Sequence, residues 1–295
     1  MPINPEDVEA ALAAEPEQLP GGYTDTDSLL YAVAIGMGRD PLDVNELPFV
    51  CETVGDKVVP TAATVLSRAS RGAGGSAPRG ASLMAKMNFA LMLHGEQRLT
   101  VHQTIPRAAK TLVTGRTTGV YDKGEGKGAL VTSETEVCTE DGAPLFTLGS
   151  TMFFRGDGGF GGTSSGAPEP HVLPDREPDM SIEMYGREDQ AMVYALCGDR
   201  NPLHRDPAFA KRAGFDRPIL HGLCSYGISC HAVLKGMLDY DASAIAQFDV
   251  RFSSPVFPGE TQVVDLWKDG NTISFRVRIP DRGVVSINNG RCVTR

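Results

Sequence analysis

Residues 219–238, entered through Pro218, make a long apolar stretch deep in the second half of the chain. Such a stretch is expected to form a helix enclosed by other elements, because hydrophobicity on every side leaves no face for solvent. Runs suited to strands follow at 247–252, 262–267 and 272–278, the last two joined by the tight turn Lys268-Asp269-Gly270-Asn271. A further strand is expected at 284–293. One central helix followed by an antiparallel sheet is an α+β layer arrangement.

The first half repeats that order. Residues 27–36 read as helix and 85–93 as helix-compatible, then strands are expected at 97–105, 110–121, 129–138 and 145–154. Pro106, the pair Gly124 and Gly126, and the dipeptide Asp141-Gly142 separate them. Between the halves lies GDGGFGGTSSGAPEPHVLPDREPD, rich in Gly, Pro and Ser and nearly free of apolar periodicity, which reads as a linker. Within it Phe160, flanked by glycines, is expected to tuck into a groove. The chain therefore divides into 1–155, a linker at 156–178, and 179–295, as a duplicated fold. The order is not βαβ, and the GGFGG run lacks the dinucleotide-binding spacing.

Composition narrows the partners. The 295 residues are 41% hydrophobic and 22% charged, enough for a sizeable core without disulfides. A net charge of -9 argues against non-specific nucleic-acid binding. No stretch reaches the roughly 20 apolar residues of a membrane span. The acidic, proline-broken N-terminus does not read as a secretory signal and RCVTR is not the peroxisomal tripeptide, so a cytoplasmic location is expected. The six cysteines form no C-x-x-C pair and read as buried free thiols. No Cys/His set has zinc-ligand spacing, and no metal is expected.

The chemically informative segment is YALCGDRNPLH, residues 194–204. Arg187 to Cys197 reads as a helix that Gly198 ends, and Pro202 prevents helix from running through Asn201. Asp199, Asn201 and His204 thus share a tight loop, where a carboxylate, an amide and an imidazole can hold one water and pass protons. Turn chemistry alone would also place an Asp after a helix-ending Gly. Downstream, a short helix is expected at 206–213, and PILHG, 218–222, then leads into the central helix. An N–H at Gly222, in the positive first turn, could bind a carbonyl oxygen as it gains charge. Gly222 could equally serve close packing, and His221 reads better as a core histidine than as a catalyst.

With those residues in view, the stretch 194–227 resembles the signature of the R-specific enoyl-CoA hydratase 2 group of the MaoC-like family. LHGEQ (93–97), IPRA (105–108), YDKG (121–124), GGFGG (158–162) and PVFPG (255–259) resemble the same proteins in the same order. The resemblance covers the chain from about Tyr31 onward. It implies a double hot-dog fold, in which the first repeat is degenerate and shapes the acyl pocket. It implies reversible hydration of trans-2-enoyl-CoA to (3R)-3-hydroxyacyl-CoA, with no cofactor beyond the CoA of the substrate, and a homodimer. Asp199 and His204 would be the acid/base pair, Asn201 would help hold the water, and Gly222 would supply the oxyanion N–H. His94, Gly95, Lys123 and Phe252 would line the thioester site, though Lys123 also reads as a turn lysine and Phe252 as core. The glycine-rich segment 70–80 departs from the family and is expected to form a mobile loop over the acyl entrance. A hot-dog thioesterase and a non-catalytic acyl-CoA binding protein are the alternatives. The D-x-N-P-x-H loop favours hydration over both, since binding alone needs no acid/base pair.

Overall fold

The computed structural model of the chain describes residues 3–67, 83, 86–88 and 91–295. Five strands come from the first half: β1 (Gln18–Tyr23), β2 (Met92–Val101), β3 (Ala109–Asp122), β4 (Ala129–Thr139) and β5 (Pro144–Phe154). Five more come from the second: β6 (Met180–Met184), β7 (Ile245–Phe252), β8 (Gln262–Asp269), β9 (Thr272–Ile279) and β10 (Val284–Thr294). They form one continuous sheet in the order β1-β3-β4-β5-β2-β7-β10-β9-β8-β6. Each half has the same internal order, and the two run outward from a shared centre. The halves meet where β2 pairs antiparallel with β7, in the register Glu96 to Arg251, Gln97 to Val250 and Thr100 to Gln247.

The helices are α1 (Pro5–Ala13), α2 (Asp25–Ala34), α3 (Leu47–Val50), α4 (Ala63–Leu66), α5 (Gln190–Ala195), α6 (Pro207–Arg212) and α7 (Gly222–Met237). As expected from the apolar stretch, α7 is the central helix, and residues 223–234 are all buried. Tyr226 anchors it to the sheet, its hydroxyl donating to the Phe248 carbonyl at 2.8 Å. Gly227 lets it meet α2 closely: a Cβ there would stand 2.5 Å from Ile35 Cγ2 and from the Tyr31 hydroxyl. Among the described residues, the first half has no helix as long as the 16-residue α7. Its polar interior includes Glu46, whose carboxylate meets His231 Nε2 of α7 at 2.7 Å and the Tyr240 hydroxyl at 3.2 Å.

Several expectations need correction. The helix expected at 85–93 is not formed where it is described: Lys86–Asn88 make a turn, and Met92 and Leu93 pair with Phe154 and Phe153 of β5. Short apolar runs carry no period that separates helix from buried strand. Strands β1 and β6 were not expected. QLPGGY carries turn-forming residues, yet pairs along its length with β3. The five-residue β6 is held at the sheet edge by β8 alone. The cysteines are all free, as expected, but only Cys224, Cys230 and Cys292 are buried, while Cys51, Cys138 and Cys197 are partly exposed. The segment 70–80, expected to form a mobile loop over the acyl entrance, lies outside the described residues.

The linker is fastened rather than loose. The Asp122 carboxylate accepts the N–H groups of Gly124 and Gly159 at 2.8 Å and of Gly161 at 2.7 Å. Phe160 packs against a small apolar cluster that includes Val120, Val131 and Phe154, the groove expected for it. Further on, Asn289 donates to the His171 carbonyl at 2.7 Å, which ties the linker to β10.

Candidate active site

Helix α5 ends at Ala195, and a turn carries the chain to Gly198, whose φ of 111° suits glycine and leads sharply into Asp199. The Asp199 carboxylate accepts the Asn201 N–H at 3.3 Å, and Asn201 Oδ1 accepts the Leu203 N–H at 3.0 Å. That second bond caps a 3₁₀ turn, Pro202–His204, with proline at its first position. Asp206 repeats the device, accepting Ala208 N–H at 2.8 Å to start α6. The loop is therefore built from consecutive side-chain caps, and it presents Asp199 and His204 together. Asn201 is exposed, and its carbonyl oxygen is engaged by the turn, which leaves the amide NH₂ as its outward donor.

His204 Nδ1 lies 2.9 Å from the Ile219 carbonyl. A carbonyl only accepts, so Nδ1 carries the proton and the neutral ring keeps its lone pair on Nε2. Burial lowers the His204 pKa below its ordinary value, with Arg205 adding to the effect. The bond to Ile219 and the Asp199 carboxylate work the other way. The net direction is a neutral imidazole at neutral pH, able to accept a proton.

His221 was read from sequence as a core histidine. It is buried, at 1% exposure, yet it belongs to the site. Its ring centroid is 3.8 Å from that of His204, with the planes 30° apart. A carboxylate oxygen of Asp199 and ring nitrogens of His204 and His221 all lie within 4.8 Å of one another. This grouping is invisible to ligand spacing because one member comes from the N-cap of α7. The position of a histidine immediately before the first helical residue was the only sequence signal.

Gly222 is the first residue of α7, where main-chain N–H groups point out of the helix and the dipole is positive. A Cβ on Gly222 would lie 3.3 Å from Phe252 Cε1, so the phenyl ring closes over this end of the helix. Phe252 in turn packs against His94, ring centroids 5.0 Å apart. His94 stands on β2 and Phe252 on β7, so both halves contribute to the wall beside Gly222. Gly95 follows in a bulge of β2, where a Cβ would stand 3.1 Å from the Thr151 carbonyl oxygen. Lys123 behaves differently: its ammonium donates to the Ser164 carbonyl at 3.0 Å and lies 6.0 Å from the Tyr121 ring centre. The first of these contacts holds the linker. The structure thus brings Asp199, His204 and His221 together, and places Phe252 beside Gly222 with His94 packed against its ring.

Comparison with known proteins gives the family. Residues 22–156 match the MFE-2 hydratase 2 N-terminal domain, and residues 169–289 match the MaoC like domain. The chain is similar to the enoyl-CoA hydratase ChsH3 of Mycobacterium tuberculosis, 38% identical over 98% of each chain. Among solved structures it is similar to a MaoC-like dehydratase from Phytophthora capsici, with a TM-score of 0.86 and 31% identity over 98% of this chain and 97% of that one. A Mycobacterium tuberculosis protein described as having a double hot-dog fold shares the architecture, with a TM-score of 0.55 and 10% identity over 96% of this chain and 97% of that one.

Proposed function

From the premise that this chain belongs to the MaoC-like family of hydratase 2 enzymes, we propose that it is a hydro-lyase that adds water reversibly to trans-2-enoyl-CoA. The product would be the (3R)-3-hydroxyacyl-CoA, in fatty-acid or related acyl-CoA metabolism. The observation that carries the reading is the pairing of a neutral His204, lone pair on Nε2, with the Asp199 carboxylate on one capped loop.

The thioester oxygen sits at the Gly222 N–H, which polarises the conjugated system and makes C3 electrophilic. Asp199 accepts one O–H of a water and the Asn201 amide orients it. His204 Nε2 takes the other proton as the water oxygen bonds to C3. Charge moves to the thioester oxygen, where the helix N-terminus favours it more strongly in the transition state than in the substrate. The imidazolium, stabilised beside Asp199, then returns its proton to C2. The resulting atom count is substrate plus water, and dehydration reverses each step. His94 and Phe252 line the thioester wall, while Gly95 allows the bulge that sets His94. Lys123 supports a CoA contact through its charge, on a turn whose linker it also holds.

No resident metal or redox cofactor is needed. Among the described residues, no helix is long and apolar enough to cross a membrane. A homodimer is the expected assembly.

The test is loss of the conjugated-enoyl absorbance of crotonyl-CoA and of a longer trans-2-enoyl-CoA, with Asp199→Asn alongside and chiral analysis of the product. Hydration by wild type alone, giving the 3R product without free CoA, supports the proposal. Free CoA would indicate a thioesterase, and no reaction at any chain length would overturn the reading for CoA esters.

A further inference from the structure

We propose that His221 is a positioning residue for hydration, holding the Asp199 loop through its Nε2–H and the plane of the His204 ring by packing against it. This rests on the hydratase reading of the site.

Two contacts carry it. His221 Nε2 lies 3.0 Å from the Asp199 main-chain carbonyl, which accepts, so the nitrogen donates. Asp199 follows the left-handed Gly198 and is itself half-buried, between an exposed glycine and the exposed Arg200 and Asn201. A bond from a buried ring at the head of the central helix fixes where the carboxylate begins. A displacement near 1 Å at such a group is enough to cost about 10²-fold in rate.

The second contact is the face-to-face approach to His204 at 3.8 Å. The Tyr194 ring in turn packs 4.9 Å from His221 at the head of the 16-residue α7. A buried ring held in this way fixes the plane of the His204 ring, so that Nε2 meets the water in one orientation.

Two substitutions separate the roles. Gln reproduces the Nε2 donor without a ring, and Phe reproduces the ring face without a donor. Wild type, His221→Gln and His221→Phe are compared by kcat and KM on crotonyl-CoA and by thermal melts. In His221→Phe, kcat should fall about 10²-fold with KM changed little. In His221→Gln, which keeps the donor, kcat should hold within a few-fold. Unchanged kcat in folded His221→Phe, or an equal loss in both variants, would overturn the proposal. If His221→Phe does not fold, a loss of about 10²-fold in folded His221→Gln overturns it alone. Wild type inert on every enoyl-CoA would overturn the hydratase reading instead.

Discussion

Asp249 accepts the main-chain N–H of Leu99 at 3.3 Å, across the β2–β7 seam where the two halves join. Burial raises its carboxyl to about 6 from an ordinary 3.8, against the opposing pull of the Leu99 N–H, Arg291 and Arg98. An acid with a raised folded pKa favours the folded state most below its unfolded pKa, and that stability is lost as pH rises through about 6. Replacing Asp249 by Asn should therefore stabilise the protein by ~1–3 kcal/mol at pH near 7.5, and progressively less as pH falls toward 4. Urea denaturation of both proteins across that range checks it. A difference that does not vary with pH would refute the assignment.

Glu46 shows the opposite sign. Burial disfavours its charge, but His231, the Gly38 N–H and the Tyr240 hydroxyl outweigh that and lower its pKa. Its contribution is present above the ordinary carboxylate value and is lost as pH falls through the depressed one. Glu46→Ala leaves those partners buried without their acceptor, and should cost about 3 kcal/mol or more. A loss below about 0.5 kcal/mol in chemical denaturation would show that the site collapses or hydrates freely.

Gly222→Pro tests the oxyanion donor directly. Proline suits the first position of a helix, where no intrahelical bond is lost, but it removes the N–H. The expected result is a kcat lower by about 10²- to 10³-fold with a modest change in melting temperature. Retained kcat would move the oxyanion contact elsewhere.

Asp199→Asn should lower kcat by roughly 10²- to 10⁴-fold. It should also shift the pH profile. Wild-type kcat/KM should fall on the acid side as His204 protonates, at a pH below the ordinary histidine value because burial lowers it. Asp199 favours the cation, so its loss should carry that limb to still lower pH. Residual activity measured from pH 5 to 8 decides this, and a limb that rises or stays would contradict the coupling.

Asp122 holds the linker by two main-chain N–H groups, those of Gly159 and Gly161, so Asp122→Ala should expose it. Limited proteolysis should cut within residues 158–166 faster in the variant than in wild type, by about tenfold or more. Equal rates would mean that Phe160 packing and the Lys123 contact suffice.

Local order was legible wherever one residue type dictates the backbone. Gly198 and Pro202 bounded the loop, and the apolar stretch before Leu238 announced a central helix, which formed as α7. Asp199, Asn201 and His204 are near in sequence, so their shared loop could be read directly. The edge strands could not: β1 is written in turn-forming residues and becomes a strand because β3 pairs with it. The same holds for Met92 and Leu93, whose strand character comes from β5.

The sequence by itself determined the duplicated α+β order and the loop that carries Asp199 and His204, because both depend on short-range pattern and backbone chemistry. Only the tertiary structure decided that His221 packs on His204, and that Phe252, with His94 against it, closes over Gly222. It alone showed Lys123 and Asp122 fastening the linker. Those relations join residues up to more than a hundred positions apart, and they exist because antiparallel pairing at the β2–β7 seam and burial of α7 bring them to one place.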